Sequence, residues 1–301
     1  MNKEMKNNIF KTGLLIEGGG TRCSFSAGVL NKLLEENIFI NYVIAVSAGA
    51  SCLLCYLSRD PEMMKKSFTD LPADPNSMSW RSFFNGGGYL QSDYLYDKCL
   101  EPGGIIQLDF DAFFANPASY RIVTYEEKEG PSYWTEKETT SPEDLMMKVR
   151  ASSTLPLFMP PTHYEGKIYY DGGINNGLPI DIAFEDGVDR LLVVRTKTRD
   201  YVRPPLTPLR QKILSRNFKD NEKIQEDLFS RHKNYNQTVE ILKLMEEEGK
   251  AYMICPQEMD ISNHNKNLQD LENNYAQGLK VAEEQMDALK AWLKKGEEDD
   301  K

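Results

Sequence analysis

The sequence predicts an α/β fold, because two short apolar runs are each followed by a tight turn and then by a segment with helical spacing. The first run, residues 13–16, leads into three successive glycines, after which apolar side chains recur at helical intervals. The second run, residues 38–46, ends next to Ser47, and a helical segment over residues 48–56 follows. Strand–turn–helix units of this kind are typical of α/β proteins.

Composition narrows the class of protein. The chain has 301 residues, of which 40% are hydrophobic, so we expect one main domain with a large core. The net charge of −10 disfavours a nucleic-acid partner and steady binding to an anionic membrane, although transient contact with lipid stays open. Residues 1–11 contain no apolar signal segment and no run of about 18 apolar residues occurs, so we expect a soluble, cytoplasmic protein.

The first turn is rich in glycine and is predicted to bind a negative oxygen. Residues 18–20 are all glycine, so no side chains shield their backbone N–H groups, and the dipole of the next helix adds to the effect. A dinucleotide-binding loop would need a glycine at Cys23, and a nucleotide-triphosphate loop would need a lysine after the glycines. Neither pattern fits, so an oxyanion-binding loop is the remaining interpretation.

The second turn places a serine where hydrolases carry a nucleophile. Residues 45–49 read Ala-Val-Ser-Ala-Gly, which differs from the pattern G-x-S-x-G only at Ala45. A serine on such a strand-to-helix turn is held at the carboxyl edge of the sheet, over the positive end of the helix. Taken alone, however, this segment fits a helix-capping serine equally well.

The five cysteines lie in apolar segments and are expected to be reduced. Cys52 and Cys55 form a C-x-x-C pair, a spacing that redox and metal sites use. A metal site would need further ligands, and neither a second pair nor a nearby histidine is present, so both are interpreted as core residues. We therefore expect no metal and no other cofactor.

The middle of the chain alternates between regular and irregular segments. Residues 61–68 favour a short helix, residues 120–125 a strand followed by a charged surface segment, and residues 141–151 a capped helix. Residues 71–104 are interrupted by prolines, glycines and aromatic side chains. This segment either covers an apolar cleft or forms an ordinary loop, and we favour the ordinary loop. Residues 152–161, rich in proline, are expected to form an irregular apolar wall.

A carboxylate follows the next predicted strand, residues 167–170. Asp171 precedes two glycines, which an Asx-type turn would explain by itself. At the end of a strand it is also expected on the sheet edge that holds Ser47. A glycine loop, a serine and a carboxylate are together the oxyanion stabiliser, nucleophile and base that acyl transfer requires.

Four segments in this order resemble the blocks of the patatin-like phospholipases: residues 18–22 (GGGTR), 45–49 (AVSAG), 151–156 (ASSTLP) and 171–173 (DGG). The resemblance covers about residues 11–200 and implies a three-layer α/β/α fold with a mixed, mainly parallel central sheet. It also implies hydrolysis of acyl esters of lipids, as in phospholipase A and lysophospholipase reactions, by a Ser–Asp dyad. Ala45 and Cys23 stand where the family pattern has glycine.

Carried over from these motifs, Ser47 would attack the acyl carbonyl and Asp171 would take its proton directly. The oxyanion hole would be formed by the loop glycines Gly18, Gly19 and Gly20. Arg22 would either contact an anionic head group or brace the loop through an ion pair, and we favour the ion pair. A catalytic triad would instead recruit His232 or His264, which lie in charged segments, so we expect no histidine in the mechanism.

The domain prediction has three parts: a flexible N-terminus at residues 1–10, a catalytic domain at 11–200, and a mostly helical C-terminal extension at 201–301 packed on the same domain. The extension contains a helical stretch over residues 206–248 and an amphipathic helix over 268–295, and its end, residues 297–301, is expected to fray. Two alternative functions stay open. One is a small-ester or thioester hydrolase with the same dyad, and the other is a non-catalytic lipid-binding relative.

Overall fold

A computed structural model describes residues 5–298, and an eight-stranded sheet forms its centre. The strands are β1 (Ile9–Ile16), β2 (Ile40–Val46), β3 (Ser119–Glu126), β4 (Gly130–Thr135), β5 (Thr162–Tyr164), β6 (Lys167–Asp171), β7 (Leu191–Val194) and β8 (Ala251–Ile254). In the spatial order β8-β7-β1-β2-β3, neighbouring strands are parallel. β4 and β6 pair antiparallel with β3, and β5 pairs antiparallel with β6, so the sheet is mixed and mainly parallel.

Helices cover both faces of this sheet. They are α1 (Cys23–Glu35), α2 (Ala48–Ser58), α3 (Pro61–Phe68), α4 (Asp70–Ala73), α5 (Trp80–Phe84), α6 (Ser92–Tyr96), α7 (Phe110–Ala115), α8 (Pro142–Ser152), α9 (Ile180–Glu185), α10 (Pro208–Asn217), α11 (Glu222–Glu247) and α12 (Leu268–Glu298). Side chains of α1, α2 and α12 pack on one face, and those of α9 and α11 on the other. The predicted three-layer α/β/α fold is confirmed.

The two faces follow from the alternation of side chains along buried strands. Leu14 and Ile16 of β1 join the core cluster that contains α1 and α2, whereas Leu15 joins the cluster that contains α11. All three side chains are fully buried. A parallel strand that is covered on both faces carries a continuous apolar run, which is why the sequence indicates β1, β2 and β7 clearly.

The register of the sheet brings the ends of β2 and β6 together. Val46, the last residue of β2, pairs with Val123 of β3, and the next β3 residue, Thr124, pairs with Asp171 of β6. Asp171 therefore lies on the far side of β3 from β2, at the level of the sheet where Ser47 follows Val46 in the chain. The sheet itself thus sets the relative position of these two side chains.

The C-terminal helices pack on the sheet layers. α12 crosses α1 at close range, and a Cβ on Gly28 would lie 2.1 Å from the backbone oxygen of Tyr275, so glycine is required at this crossing. The helical stretch predicted for residues 206–248 is divided into α10 and α11. Within residues 5–298, no helix combines the length and the apolar character that crossing a membrane requires.

Two further differences from the sequence predictions lie after β3 and at the ends of the chain. The charged segment after β3 contains β4, whose pattern is hidden because only Gly130 and Trp134 of this strand are buried. The N-terminus predicted to be flexible already enters β1 at Ile9, and the backbone N–H groups of Phe10 and Lys11 donate to the side chain of Glu297. That glutamate belongs to the end that was expected to fray, and the helix α12 includes it. The predictions of a flexible N-terminus and a frayed C-terminal end also include residues 1–4 and 299–301, which lie outside the described residues.

Candidate active site

Ser47 and Asp171 form a hydrogen-bonded pair at the carboxyl edge of the sheet. Ser47 Oγ donates to Asp171 Oδ2 at 2.6 Å, and the other carboxylate oxygen accepts the backbone N–H of Gly173 at 2.7 Å. Ser47 is 7% exposed and Asp171 is 3% exposed. A hydroxyl that already donates to a carboxylate can transfer its proton directly as its oxygen attacks a carbonyl.

Ser47 has a backbone conformation that residues other than glycine rarely adopt. Its φ is 56° and its ψ is −134°, at the turn between β2 and α2. The Ser47 N–H donates to Ser152 Oγ at 2.9 Å, and this hydroxyl donates to the carbonyl oxygen of Val123 at 2.6 Å. The carbonyl of Thr154 accepts the N–H of Asp171 at 2.8 Å. Strain persists only where surrounding contacts maintain it, and Ser152 at the end of α8 provides such a contact for Ser47. Thr154, just after α8, holds the backbone of Asp171.

The turn forms with alanine at the position where the motif has glycine. Ala45 is fully buried and pairs with Ile16 on one side and with Ile122 on the other. Its methyl group belongs to the core cluster that contains α1 and α2. The departure at Ala45 is therefore accommodated by packing within the sheet.

The glycine loop lines the same polar cavity as the dyad: the residues are Gly18, Gly19 and Gly20. No described residue accepts a hydrogen bond from the backbone N–H groups of these glycines. The following N–H, that of Thr21, is occupied by the carbonyl oxygen of Asn263 at 3.1 Å. The loop thus has backbone donors that are available to a negative oxygen near Ser47.

The buried carboxylate of Glu17 connects the glycine loop to the C-terminal part of the chain through hydrogen bonds. Glu17 Oε1 accepts the hydroxyl of Tyr235 at 2.7 Å, and Oε2 accepts the backbone N–H of Thr196 at 2.6 Å. The Thr196 hydroxyl donates to the carbonyl oxygen of Gly18 at 2.9 Å, and Arg195 donates to the Tyr235 hydroxyl at 3.1 Å. Sequence patterns do not predict this support, because Tyr235 is 218 residues from Glu17.

Arg22 does not form the ion pair that we favoured from the sequence. No described carboxylate lies within 4.0 Å of its guanidinium nitrogens, and its Nε is buried without a hydrogen-bond partner. Burial lowers the pKa of Arg22, and the negative charge of Glu17 opposes this effect. The side chain lines the polar cavity beside the dyad, where it can meet an anion.

An apolar cavity also opens at Ser47. The side chains that line it are mostly apolar, as in sites that bind small molecules. Side chains from the segment between α3 and α7 provide much of its wall, including Leu71, Met78, Leu90, Leu95, Cys99, Ile106 and Leu108. The interpretation of residues 71–104 as an ordinary loop is therefore wrong, since this segment covers an apolar cleft.

The environment of Asp171 favours its protonated form. Burial raises the pKa of this carboxyl above its ordinary value, while the hydrogen bond from Ser47 and the charge of Arg231 act in the opposite direction. A raised pKa makes the carboxylate a stronger base than an exposed aspartate. The carboxylate therefore suits the role of proton acceptor better than an exposed aspartate would.

The histidines are not part of this site. His232 Nδ1 lies 2.9 Å from the carbonyl oxygen of Phe229, and His264 Nδ1 lies 3.0 Å from Asn263 Oδ1. His163 is exposed on the short strand β5 and does not lie in an irregular loop. Within the described chain, no histidine is hydrogen-bonded to Ser47 or Asp171.

Two family models match separate parts of the chain. The model for the patatin-like phospholipases matches residues 14–184, which include the glycine loop, Ser47 and Asp171. A second model, a domain of unknown function (DUF6363), matches residues 221–294, which include α11 and most of α12. The first match spans more than half of the chain.

Individual relatives are more distant. The uncharacterized protein YjjU of Escherichia coli (strain K12) is 27% identical over 191 residues, and the match covers 62% of this chain and 52% of YjjU. The probable lipid hydrolase 463L of Invertebrate iridescent virus 6 is 25% identical over 198 residues, with 60% of this chain and 66% of that protein covered. The chain thus spans between half and two thirds of the lengths of these relatives. Among solved structures, VipD from Legionella pneumophila matches with a TM-score of 0.49 and 13% identity over 94% of this chain and 72% of that chain.

Proposed function

Because the chain belongs to the patatin-like phospholipase family, we propose that it is a serine acyl hydrolase that cleaves lipid esters with a Ser47–Asp171 dyad. The observation that carries this proposal is the 2.6 Å hydrogen bond from Ser47 Oγ to Asp171 Oδ2. It lies where an apolar cavity and a loop of free backbone donors meet. An acyl chain in that cavity would bring its ester carbonyl to the serine hydroxyl.

The first half of the reaction acylates the enzyme. Ser47 Oγ attacks the ester carbonyl carbon, while its proton moves to Asp171 Oδ2. The backbone N–H groups of the glycine loop stabilise the oxyanion, and each such donor contributes about 2.7–4 kcal/mol of transition-state stabilisation. The bond from the carbonyl carbon to the alcohol oxygen then breaks, and that oxygen takes the proton from Asp171. The alcohol leaves, and the acyl group stays on the serine.

The second half releases the fatty acid. Asp171, again ionised, accepts a proton from a water molecule whose oxygen attacks the acyl carbonyl. The tetrahedral intermediate collapses, the bond to Ser47 Oγ breaks, and the serine oxygen regains the proton from Asp171. One carboxylate thus acts as base and then as acid in each half, so no histidine is needed.

The apolar cavity predicts a dependence on acyl chain length. For a series of p-nitrophenyl esters, kcat/KM is expected to rise by up to about fourfold for each added methylene that the cavity buries, since burial contributes about 0.8 kcal/mol per methylene. Steady-state kinetics across the series measures this slope. A flat or falling dependence would favour the small-ester alternative and contradict a lipid substrate.

A pair of variants at one position tests whether the cavity holds the chain. Ser67 of α3 lines the apolar cavity and is half-buried. Ser67→Phe fills part of the space, so we expect it to lower kcat/KM for long-chain esters about tenfold relative to short-chain esters. Ser67→Ala removes the same hydroxyl without adding volume and serves as the control. Equal slopes for the two variants would show that the acyl chain binds elsewhere.

A further inference from the structure

One face of α11 lies against the candidate active site. Five residues at helical spacing contribute to this face: Asp227, Arg231, Asn234, Tyr235 and Thr238. Tyr235 is the member of this face that donates to Glu17, directly before the glycine loop, at 2.7 Å. The helix therefore contacts the chain where the oxyanion loop begins.

The same face of α11 holds the segment that follows the Asp-Gly-Gly turn. Asn175 Nδ2 donates to Asp227 Oδ1 at 3.1 Å, and Asn234 Nδ2 donates to Asn175 Oδ1 at 3.0 Å. Asn176 Nδ2 donates to Thr238 Oγ1 at 2.8 Å. These three hydrogen bonds fix the helix relative to the carboxylate of the dyad.

Arg231 lies between these contacts and faces Asp171. A Cβ on Gly173 would lie 2.8 Å from Arg231 Nη2 and 3.0 Å from Asp171 Oδ1, so these two atoms lie within about 6 Å of each other. A side chain at position 173 would occupy the space between them, so glycine lets the guanidinium approach the carboxylate. Opposite charges still attract over this distance when both are largely shielded from water.

The charge of Arg231 is not neutralised by a direct ion pair. No described carboxylate oxygen lies within 4.0 Å of its guanidinium nitrogens. Burial and the charge of Arg203 lower the pKa of Arg231 to about 10, and the charge of Asp171 opposes them. Arg231 therefore stays protonated at neutral and acidic pH, and its charge acts on Asp171 through space.

Other charged and titratable side chains surround this pair. They come from the glycine loop, α6, the segment after β7 and α11, and they are Glu17, Arg22, Tyr96, Lys197, Tyr201, Arg203 and Tyr235. Burial and the charge of Arg22 lower the pKa of Lys197 to about 8, so this lysine stays mostly protonated below pH 7 or thereabouts. The carboxyl groups of the site are Glu17 and Asp171, and a test at acidic pH has to distinguish these two.

We propose that Arg231 is a positioning residue that acts through Asp171, because its charge keeps the buried base ionised and thus able to accept the proton of Ser47. This inference rests on the proposed function. A protonated Asp171 could not take that proton, and burial alone favours the protonated form. Arginine suits this role because the guanidinium keeps its charge when it is partly buried. The inference gives a catalytic contribution to α11, which lies in the segment that matches the domain of unknown function.

The acid limb of kcat/KM for ester hydrolysis tests this role. Arg231→Gln is expected to move the limb about one pH unit upward, since loss of the cation favours the protonated carboxyl. Arg231→Lys keeps the charge and should leave the limb within about 0.3 pH units of the parent. Arg216→Gln is the matched control, because Arg216 is exposed on α10 and does not line the polar cavity. It removes the same charge and should leave the limb unchanged.

Thermal unfolding at pH 7 assigns the effect to Asp171 and needs no activity. Asp171→Asn should raise Tm by about 2 °C more in the Arg231→Gln background than in the parent, because the ionised carboxylate there lacks its cation. Glu17 is the same in all four proteins, so it does not contribute to this difference. Arg231→Met serves the same test if the glutamine variant does not fold.

The outcomes separate this inference from the proposed function. An active Arg231→Gln protein with an unmoved limb would overturn the inference and leave the proposed function intact. A limb that moves while the two Tm increments stay equal would assign the limb to Glu17 and overturn it too, as would an Arg231→Lys limb displaced as far as that of Arg231→Gln. A parent that hydrolyses no ester would overturn the proposed function, and a larger Tm increment would still support the pairing of Arg231 with Asp171.

Discussion

Ser47→Ala is expected to lower kcat for ester hydrolysis by roughly 10⁴- to 10⁶-fold, because loss of a serine nucleophile removes the covalent route altogether. The oxyanion loop and both cavities remain in this variant. Steady-state kinetics on the best ester substrate measures the loss.

A matched serine shows whether the loss is specific to position 47. Ser215 is half-buried on α10 and lines neither cavity, so Ser215→Ala should hydrolyse esters at the parent rate. Thermal unfolding of both variants checks that each is folded. A folded Ser47→Ala protein that keeps more than about a tenth of the parent activity would remove Ser47 from the mechanism.

Asp171→Asn is expected to lower kcat/KM by about 10²- to 10⁴-fold, since asparagine keeps the shape of the side chain but cannot accept the proton. Burial raises the pKa of Asp171 above the ordinary aspartate value of about 3.9. As the pH is lowered, the parent should therefore begin to lose activity before the pH reaches about 3.9. The variant should lack this acid limb. Rate profiles between pH 4 and pH 8 measure both effects, and parent-like activity in the asparagine variant would contradict the assignment of the base.

A histidine-free variant is the control for the base. The residues His163, His232 and His264 are all replaced with glutamine. Because none of them contacts the dyad, ester hydrolysis is expected to stay within about tenfold of the parent. If this folded variant were inactive while Asp171→Asn stayed active, a histidine would be the base.

The same asparagine substitution should stabilise the fold at neutral pH. The pKa of Asp171 is higher in the folded protein than in the unfolded chain, where it is about 3.9. The stability that this group contributes is therefore fully present below about pH 3.9, and it is lost as the pH rises through the folded-state pKa. At pH 7 the ionised carboxylate is therefore a net cost, which asparagine removes. We expect a higher Tm for Asp171→Asn at pH 7 and a smaller difference near pH 4, and thermal unfolding at both pH values measures this.

The parts of the fold that the sequence predicted are those that depend on local patterns. β1, β2 and β7 are buried on both faces, so each carries an apolar run that is visible without knowledge of its neighbours. The glycine loop and the segment around Ser47 are short motifs whose turn geometry depends on adjacent residues. By contrast, β4 is visible only once its pairing with β3 is known, because few of its side chains are buried.

The parts of the site that the sequence did not predict depend on contacts between distant segments. Ser152 holds the backbone of Ser47 from 105 residues away, and Tyr235 holds Glu17 from 218 residues away. Arg203 and Arg231 lie in charged segments where a basic residue is ordinary, so nothing nearby in the sequence distinguishes them. Arg231 reaches the cavity of the dyad from α11, and the backbone N–H of Arg203 donates to Asn236 of the same helix, which places Arg203 at that cavity too.

The central claim is that Ser47 is the nucleophile and Asp171 its base, and labelling with a fluorophosphonate probe tests it most directly. The probe reacts with an activated serine, and peptide mapping identifies the modified residue. We predict a single adduct on Ser47, no adduct in Ser47→Ala, and labelling about 10²-fold slower or more in Asp171→Asn. An adduct on another serine, or no adduct in protein that hydrolyses esters, would contradict the claim.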